Sequence, residues 1–540
     1  MSTCERAYQW IWRVMCIIIV VVGGIYYYGI LSAVLPNSED LMTTQQWYLI
    51  LRGRQPYQHQ NIIFDAINCF SVCIGGMSFF SVRLEFTLLY MMILGFSLWL
   101  AVSKGERRKR WSVLSLWAFF MIFVHTVQKD RAFGQVYESA DWIWQIPYNY
   151  HTISLIFALI CMIILQSCLD AGTGKKKKEM EFVGLLTGLY AFLFTDLIYY
   201  IVFVLPFLIV LLLRGVYHDR TRKYVMPLCC VGVGIILLTR ILPITFFERF
   251  WEQEAVDVYG NIYGGTDWLN MDHILTCFGN YIKTVMLLFN IEISDRPVIS
   301  LYSVLFITRI AFVLLGYVIV VKIITCGMKG KAEQSGYTMT DEILAWAFVV
   351  LSCSFLFTGN GIERGTIRYY GALVPLLVIL LCRNVENTMK RLMPALNSIK
   401  YKKYYFAGII GALCICQAEP VWKYQTEDSY QNECEAVIEY LRMWEAESDG
   451  YALAPFWLCT RLSAMTNGDI LFFYDEEQIW EIYGEDAPIR YAVVGWNDGI
   501  LTRHYSIIEG CSNYDEWCEM YKVPIRAVDL DHVYVCEFAE

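Results

Sequence analysis

The chain has 540 residues, of which 57% are hydrophobic and only 18% are charged, and its formal net charge is −9. Globular proteins carry about 25% charged residues, so this composition excludes an ordinary soluble protein and indicates a polytopic membrane protein. The acidic balance, without a basic segment interleaved with aromatic residues, excludes a nucleic-acid-binding protein.

Long apolar segments bounded by charge predict the transmembrane helices. A hydrocarbon core of about 30 Å requires about 20 apolar residues per helix. The sequence predicts eleven such helices, near residues 14–35, 86–103, 111–127, 150–169, 181–194, 197–213, 224–242, 299–325, 343–358, 369–381 and 404–416. Residues 62–82 are also apolar, but counting them as a span would put the basic residues 107–110 outside the cell. They are therefore predicted to form an interfacial helix.

Lysine and arginine residues concentrate in alternate loops, near residues 104–110, 175–178, 214–223, 322–331 and 383–403. Short basic loops stay on the cytoplasmic side of a membrane. We therefore expect a multi-pass cell-membrane protein with a cytoplasmic N-terminus and an extracytoplasmic segment after residue 416. Both flanks of residues 181–213 are basic, which predicts a hairpin of two short helices with Asp196 at its outer rim.

The C-terminal part has a different pattern. After residue 416 the sequence becomes polar and alternates a helix at 433–445, short strands at 450–453, 470–473, 491–494 and 533–537, and helices near 476–482 and 514–521. This pattern predicts a small α/β domain over 417–540, outside a transmembrane domain over 1–416 whose large first outer loop covers 36–85. Five cysteines in this part leave at least one thiol free if any disulfide forms.

An acidic pair, Glu39 and Asp40, follows within five residues of the first predicted helix. Its carboxylates would lie at the membrane surface, where the phosphate–sugar bond of a lipid-borne substrate would also lie. A carboxylate is a common general base for deprotonating an attacking hydroxyl or amide. Taken alone, however, such a pair is more often a solvated helix end.

Three motifs together resemble the GT-C superfamily, which comprises integral-membrane glycosyltransferases that use polyprenyl-phosphate-linked sugars. The first is the acidic pair Glu39–Asp40 in the first outer loop. The second is the sequence GLLTGL at 184–189 followed by Asp196, although many members have Lys or Arg where this chain has Asp196. The third is the segment RYYGALVP at 368–375. For the glycines at 184 and 188, close helix packing is the favoured explanation.

The resemblance implies an α-helical polytopic membrane fold with about 11 transmembrane helices, GT-C-like, and a small C-terminal extracytoplasmic α/β domain. Both the protein-mannosyltransferase-like and the oligosaccharyltransferase-like branches remain open. It also implies an inverting sugar transfer with Asp40 as the general base and Glu39 beside it.

Several other residues are candidates for this outer site. A guanidinium at the outer rim suits the donor phosphate, so Arg368 is a candidate phosphate ligand, or else an interfacial anchor. His151 would either touch the phosphate or cap its helix. The remaining acidic candidates at the outer rim are Asp196, Asp130 and Asp141.

The expected cofactor depends on the branch. A divalent cation, Mg²⁺ or Mn²⁺, held by Glu39, Asp40 and either Asp130 or Asp141 would match the oligosaccharyl-transferring branch, whereas the protein mannosyltransferase branch works without metal. The scattered histidines do not indicate a zinc site. Expected partners are a lipid-linked sugar donor, an extracytoplasmic glycan, lipid or protein acceptor, and membrane lipids, without nucleic acid.

Two other classes of function compete with a transferase. A transporter or flippase of lipid-linked glycans would predict internal repeats and ionisable residues within the spans, whereas almost all charges here fall at helix ends or in loops. A non-catalytic membrane scaffold with a glycan-binding outer domain would predict that no acidic residue is needed.

Overall fold

A computed structural model of the protein describes residues 3–32, 38–55, 62–103, 110–122, 149–170, 184, 199–217, 273–291, 299, 301–357, 370–392, 408–414, 429–444, 450–484, 487–495, 523–530 and 533–539. These residues form a mostly helical protein with one small sheet. The two compact units into which it divides are described separately below.

The helices of the first 400 residues are mostly apolar. They are α1 (Thr3–Ser32), α2 (Ser38–Leu51), α3 (Ile62–Gly75), α4 (Phe79–Ser103), α5 (Arg110–Met121), α6 (Asn149–Asp170), α7 (Leu205–Tyr217), α8 (Ile274–Leu288), α9 (Leu301–Met328), α10 (Met339–Phe357) and α11 (Leu373–Leu392). A short π-helical segment, Tyr200–Val204, leads directly into α7. Residues 408–414 are also helical.

Four of the described helices, α1, α4, α9 and α10, are long and apolar enough to cross a membrane. Apolar side chains such as Ile17 on α1 and Ile307 on α9 are more than half exposed. Such surfaces are costly in water and suit lipid. The apolar helices therefore indicate a membrane protein.

The eleven predicted spans are thus shown only in part, because the described residues contain four helices of sufficient length and hydropathy. Shorter apolar helices occupy several other predicted spans, including α5, α6 and α11. The predicted spans 181–194 and 224–242 lie outside the described residues, apart from Gly184. The sequence also missed α8, an apolar helix in what was predicted to be an outer loop.

An interfacial helix was predicted over residues 62–82, and the predicted position of its C-terminal end is wrong. Helix α3 stops at Gly75, and Gly76 has a φ of +63°, which a residue with a side chain rarely adopts. Residues from Phe79 onward already belong to α4, so this span begins seven residues before the predicted start at 86.

The first compact unit, called here the membrane unit, comprises Met1–Tyr27, Leu89–Gln135 and Asp141–Pro420. Helix α10 packs against α7, α8, α9 and α11, and α11 also packs against α9 and α5. Its interior contains large buried side chains such as Trp117, Phe120 and Tyr370.

A buried guanidinium joins four helices of the membrane unit. The side chain of Arg383 on α11 is 0% exposed and forms an ion pair of 2.7 Å with Asp341 of α10, which is also 0% exposed. The other acceptors of Arg383 are the carbonyl oxygen of Leu100, Ser103, Gln166 and Thr338, at 2.7–3.0 Å. The sequence assigned Arg383 to a basic loop, but the structure buries this side chain in a hydrogen-bonded hub, called here the Arg383 hub.

The second compact unit, called here the sheet unit, comprises Tyr28–Leu88, Val136–Ala140 and Val421–Glu540. It therefore groups the segment after α1 with the C-terminal part of the chain. Its C-terminal elements are α12 (Ser429–Met443), β1 (Gly450–Leu453), α13 (Phe456–Met465), β2 (Ile470–Phe473), α14 (Glu476–Tyr483), β3 (Tyr491–Gly495), β4 (Arg526–Asp529) and β5 (Val533–Glu537).

The five strands form one mixed sheet in the order β2-β1-β3-β5-β4. Strands β1, β2 and β3 are parallel, with Tyr451 opposite Leu471, and β5 pairs antiparallel with both β3 and β4. The core includes Ile438, Phe472 and Val535. Four strands are confirmed where the sequence predicted them, whereas β4 and α13 were missed.

The thiols of Cys434, Cys459 and Cys536 are buried in the sheet unit and are not in disulfides. The other two cysteines of the C-terminal part, at 511 and 518, lie outside the described residues.

Candidate functional site

The acidic pair Glu39–Asp40 lies in the first turn of α2, which begins at Ser38. Serine is a favoured residue at a helix start because its hydroxyl can accept a hydrogen bond from a free backbone N–H group. The positive end of the helix dipole also favours negative charge in the first turn. The side chains of Glu39 and Asp40 themselves lie outside the described part of the structure.

Helix α2 is fixed to the C-terminal part of the sheet unit. It packs against α13, and Nε2 of Gln45 donates a hydrogen bond of 3.0 Å to the carbonyl oxygen of Phe472 in β2. Leu41, one residue after the acidic pair, is fully buried. The helix that carries the acidic pair therefore has a rigid support, which precise chemistry requires.

A close contact between α2 and the turn after α13 explains why residue 468 is a glycine. Gly468 has a φ of +80°, and a Cβ atom added there would lie 2.6 Å from the ring and hydroxyl of Tyr48. Only glycine combines this backbone conformation with so close an approach. The pairing of Tyr48 with Gly468 therefore fixes how α2 lies on α13.

The C-terminal end of α2 has a second attachment. Nη1 of Arg54 donates a hydrogen bond of 3.0 Å to the hydroxyl of Tyr483, and the Arg54 guanidinium lies 5.4 Å from the centre of the same ring. A guanidinium over a tyrosine ring is attracted by the π electrons. This contact ties the loop after α2 to the end of α14.

An open groove of about 860 Å³ runs across the sheet unit, between the turn that leads into α4 and the helices α12 and α13. The apolar lining comes from Phe79, Phe80, Ile438, Met443, Ala464 and Met465. The polar lining comes from Ser78, Glu435, Glu439, Arg442 and Asn467. The groove therefore combines an apolar wall with a charged edge.

The charged edge of the groove is one face of α12. Glu435, Glu439 and Arg442 are exposed and follow a spacing of four and three residues, which places them on one side of a helix. Opposite them, Phe80 is 42% exposed at the beginning of the membrane-spanning length of α4. An amphipathic molecule could thus place its polar part on α12 and its apolar part against Phe79 and Phe80.

Burial changes the acid–base behaviour of two side chains near the sheet. It lowers the pKa of Arg461 on α13 to about 10 and raises the pKa of Tyr474, with a smaller effect from the neighbouring carboxylate of Asp475. Both changes keep these groups in their usual states at neutral pH. Neither is therefore a candidate acid or base.

A buried polar cluster lies in the hairpin formed by α3 and α4. Asp65, Asn68, Ser71 and Glu85 are at most 5% exposed, and Nδ2 of Asn68 donates a hydrogen bond of 3.1 Å to Oε1 of Glu85. Asp65 lies within the predicted first outer loop at 36–85, but the sequence analysis did not identify this cluster. The polar positions at 65, 68 and 71 within an apolar helix were the signal that could have found them.

The other predicted site residues are not brought together in the described structure. His151 lies in the first turn of α6, but its side chain is outside the described part. Arg368, Asp196, Asp130 and Asp141 lie outside the described residues altogether. The proposed encounter of these residues with Glu39 and Asp40 stays a prediction.

Within the described ranges, no group of three or more His, Cys, Asp or Glu side chains could hold a metal ion. The predicted divalent-cation site depends on the side chains of Glu39, Asp40, Asp130 and Asp141, none of which belongs to those ranges. Carboxylate oxygens are suitable ligands for Mg²⁺ or Mn²⁺, so the residue types fit that prediction.

No protein-family model and no curated protein matches this sequence. The resemblance to the GT-C superfamily therefore rests on the three sequence motifs alone.

Proposed function

We propose that this protein is an inverting membrane glycosyltransferase that transfers a sugar from a polyprenyl-phosphate donor to an extracytoplasmic acceptor. Asp40 would be the general base. In this proposal the chain has about eleven spans in a GT-C-like arrangement, with a cytoplasmic N-terminus and the sheet unit on the extracytoplasmic side.

The attachment of α2 within the sheet unit is the observation that carries the proposal. A base must be held near the acceptor to within about half an ångström to be effective. The first turn of α2 contains Glu39 and Asp40, and the contacts of Gln45 and Tyr48 hold this helix against β2 and the turn after α13. A solvated helix end would not need such a support.

The groove also supports the proposal, because its size and lining suit an acceptor molecule. Its volume of about 860 Å³ falls within the usual size of small-molecule sites. Its apolar wall begins where α4 becomes long and apolar enough to span the membrane, so it suits an acceptor with an apolar part. The carboxylates of Glu435 and Glu439 can accept hydrogen bonds from sugar or peptide groups.

The transfer would proceed in a single displacement. The acceptor oxygen or nitrogen attacks the anomeric carbon from the side opposite the phosphate and loses its proton to the Asp40 carboxylate. The bond between the anomeric carbon and the phosphate oxygen breaks, and polyprenyl phosphate leaves with the electron pair. Arg368 and His151 would hold that phosphate, and attack from the opposite side inverts the anomeric configuration.

Two roles remain for the neighbouring acidic residues. Glu39 would either position Asp40 or share a divalent cation with it, and a bound Mg²⁺ or Mn²⁺ would supply positive charge for the leaving phosphate. The acids Asp130, Asp141 and Asp196 would line the outer rim. Addition of a chelator separates these two roles, because it lowers transfer only if a cation is shared.

The test uses the full chain, purified and reconstituted in vesicles with polyprenyl-phosphate mannose or polyprenyl-phosphate glucose, and a cell-envelope extract supplies the acceptor. Release of free polyprenyl phosphate is the readout, since it does not depend on knowing the acceptor. Asp40→Asn keeps the size of the side chain but removes the base, so release should fall by about a hundred- to ten-thousand-fold.

The matched control is Asp475→Asn. Asp475 is the N-cap residue directly before α14 in the same unit and accepts a hydrogen bond from the backbone N–H of Glu477, and asparagine can accept the same bond. This variant should keep wild-type release. If folded Asp40→Asn also keeps full release, the catalytic assignment is wrong. Movement of intact lipid-linked sugar between leaflets, without release of phosphate, would instead favour the flippase.

A further inference from the structure

The buried cluster between α3 and α4 contains polar atoms that the rest of the described structure does not satisfy. It comprises Asn68 and Ser71 on α3, with Asp65 one turn before Asn68, and Glu85 on α4. Their residue exposures are 0% for Asn68, 1% for Ser71, 5% for Asp65 and 1% for Glu85. We call these four residues the oxygen cluster.

The geometry of the hairpin brings the oxygen cluster together. Asp65, Asn68 and Ser71 are spaced by three residues, so they lie along one side of α3. The tight turn through Gly76 reverses the chain, and the hydrogen bond of 3.1 Å from Asn68 to Glu85 shows that α4 faces this side. Asn68 and Glu85 therefore meet in a buried place, and Ser71 lies one helical turn farther along the same side of α3.

Two atoms of the cluster have no hydrogen-bond partner among the described residues. Oδ1 of Asn68 and Oγ of Ser71 are buried and unsatisfied. The amide orientation of Asn68 is fixed, because its NH₂ group must point to the carboxylate of Glu85, which only accepts hydrogen bonds when ionised. Buried polar atoms without a partner are rare in folded proteins and call for an explanation such as a bound ion.

We propose that the oxygen cluster binds a hard metal cation through Oδ1 of Asn68, Oγ of Ser71 and the carboxylate of Glu85. The three groups offer oxygen atoms only, the ligand type that Ca²⁺, Mg²⁺ and Na⁺ prefer. Asp65 adds a second carboxylate one helical turn from Asn68. A cation would satisfy the amide oxygen of Asn68 and the hydroxyl oxygen of Ser71 while it binds the carboxylate of Glu85.

This site does not involve Glu39 or Asp40 and does not depend on the proposed sugar transfer. A cation there would fix α3 against the N-terminal part of the long apolar helix α4. Because it would bind the folded protein and not the unfolded chain, it would raise the thermal stability with a saturating dependence on its concentration.

The experiment uses the full chain in detergent, treated with a chelator and exchanged into choline chloride. The melting temperature, Tm, is followed by intrinsic fluorescence while CaCl₂, MgCl₂ or NaCl is added at constant ionic strength. We expect a saturable rise in Tm with at least one of the three ions. Glu85→Gln should abolish the rise, and Ser71→Ala should raise the apparent Kd by at least about tenfold.

The matched control is Glu342→Gln, which removes the charge of another buried glutamate near the start of a helix. It should lower Tm in choline chloride but leave the increment from the cation unchanged. Equilibrium dialysis of the wild-type protein with radioactive Ca²⁺ or Na⁺ provides a second measurement, in case Glu85→Gln does not fold. One bound ion per chain supports the proposal.

Two results would overturn it: a wild-type Tm that responds to none of the three ions without any bound ion in dialysis, or an increment that is the same in Glu85→Gln. Neither depends on transferase activity. Failure of the cation site is therefore distinguishable from failure of the proposed function.

Discussion

Two buried polar clusters, one in each unit, differ in how far their atoms are hydrogen-bonded. In the membrane unit, the Arg383 hub gives the guanidinium five hydrogen-bond acceptors, and Asp341 also accepts a hydrogen bond from Asn384. In the sheet unit, the described residues provide no hydrogen-bond partner for the amide oxygen of Asn68 or the hydroxyl of Ser71 in the oxygen cluster. A satisfied network is typical of structural support, whereas buried oxygens without a partner require an explanation such as a bound water or ion.

The largest effect is expected from breaking the Arg383 hub. Arg383→Met removes the cation and leaves Asp341 buried without its charge partner, which should lower the free energy of unfolding by about 3–5 kcal/mol. Asp341→Asn in the Arg383→Met background should recover part of this loss, because no buried charge then remains. Chemical denaturation in detergent micelles measures both values.

Lys329→Met is the control for this substitution, since Lys329 is exposed at the end of α9. It should change the free energy of unfolding by less than about 0.5 kcal/mol. If Arg383→Met proved equally mild, the hub would not be a structural support, and the contrast between the two clusters would be lost.

A smaller effect is expected at the contact that orients α2 in the sheet unit. Gly468→Ala should lower the free energy of unfolding by about 1–3 kcal/mol, because it strains the backbone and pushes a Cβ atom into Tyr48. Gly336→Ala is a matched control, since Gly336 has a φ of +81° with nothing within 4 Å of an added Cβ. The difference between the two variants isolates the contact with Tyr48.

Tyr48→Leu should relieve this contact, so Gly468→Ala should cost less in that background, by about the difference between the two glycine variants. Equal costs in both backgrounds would show that α2 does not depend on this contact. A double-mutant cycle followed by chemical denaturation gives the answer.

The sequence predicted most of the sheet because its strands have short apolar runs between polar segments. β1, β2, β3 and β5 are at the expected residues, but β4 was missed because it is short and mostly exposed and so lacks an alternating pattern. Helix α13 was also missed, although Pro455 directly before it is a residue often found at a helix start. Local patterns were sufficient only where burial alternates regularly.

The groove and the hub could not be predicted in the same way, because both depend on contacts between segments far apart in the sequence. The groove combines Ser78–Phe80 with α12 and α13, and no local pattern connects them. Arg383 lies at the end of an apolar run, where a topology anchor and a buried ion pair have the same sequence pattern. Only the packing of α10 against α11 distinguishes the two.

The smallest effect on stability is expected within the membrane unit. There one arginine pairs with two glutamates, one buried and one exposed. Arg214 on α7 forms ion pairs of 2.9 Å with Glu342, whose side chain is 3% exposed, and with Glu333, whose side chain is 65% exposed. Water and salt screen the exposed pair, so Glu333→Gln should cost less than about 1 kcal/mol.

Glu342→Gln should cost more, about 1–3 kcal/mol, because it weakens hydrogen bonds to a charged group in a place that water does not reach. The two variants are measured side by side by chemical denaturation, at low and at high salt. Raising the salt should reduce the small effect of Glu333→Gln and leave that of Glu342→Gln nearly unchanged. Equal effects with equal salt dependence would mean that burial does not determine the strength of these ion pairs.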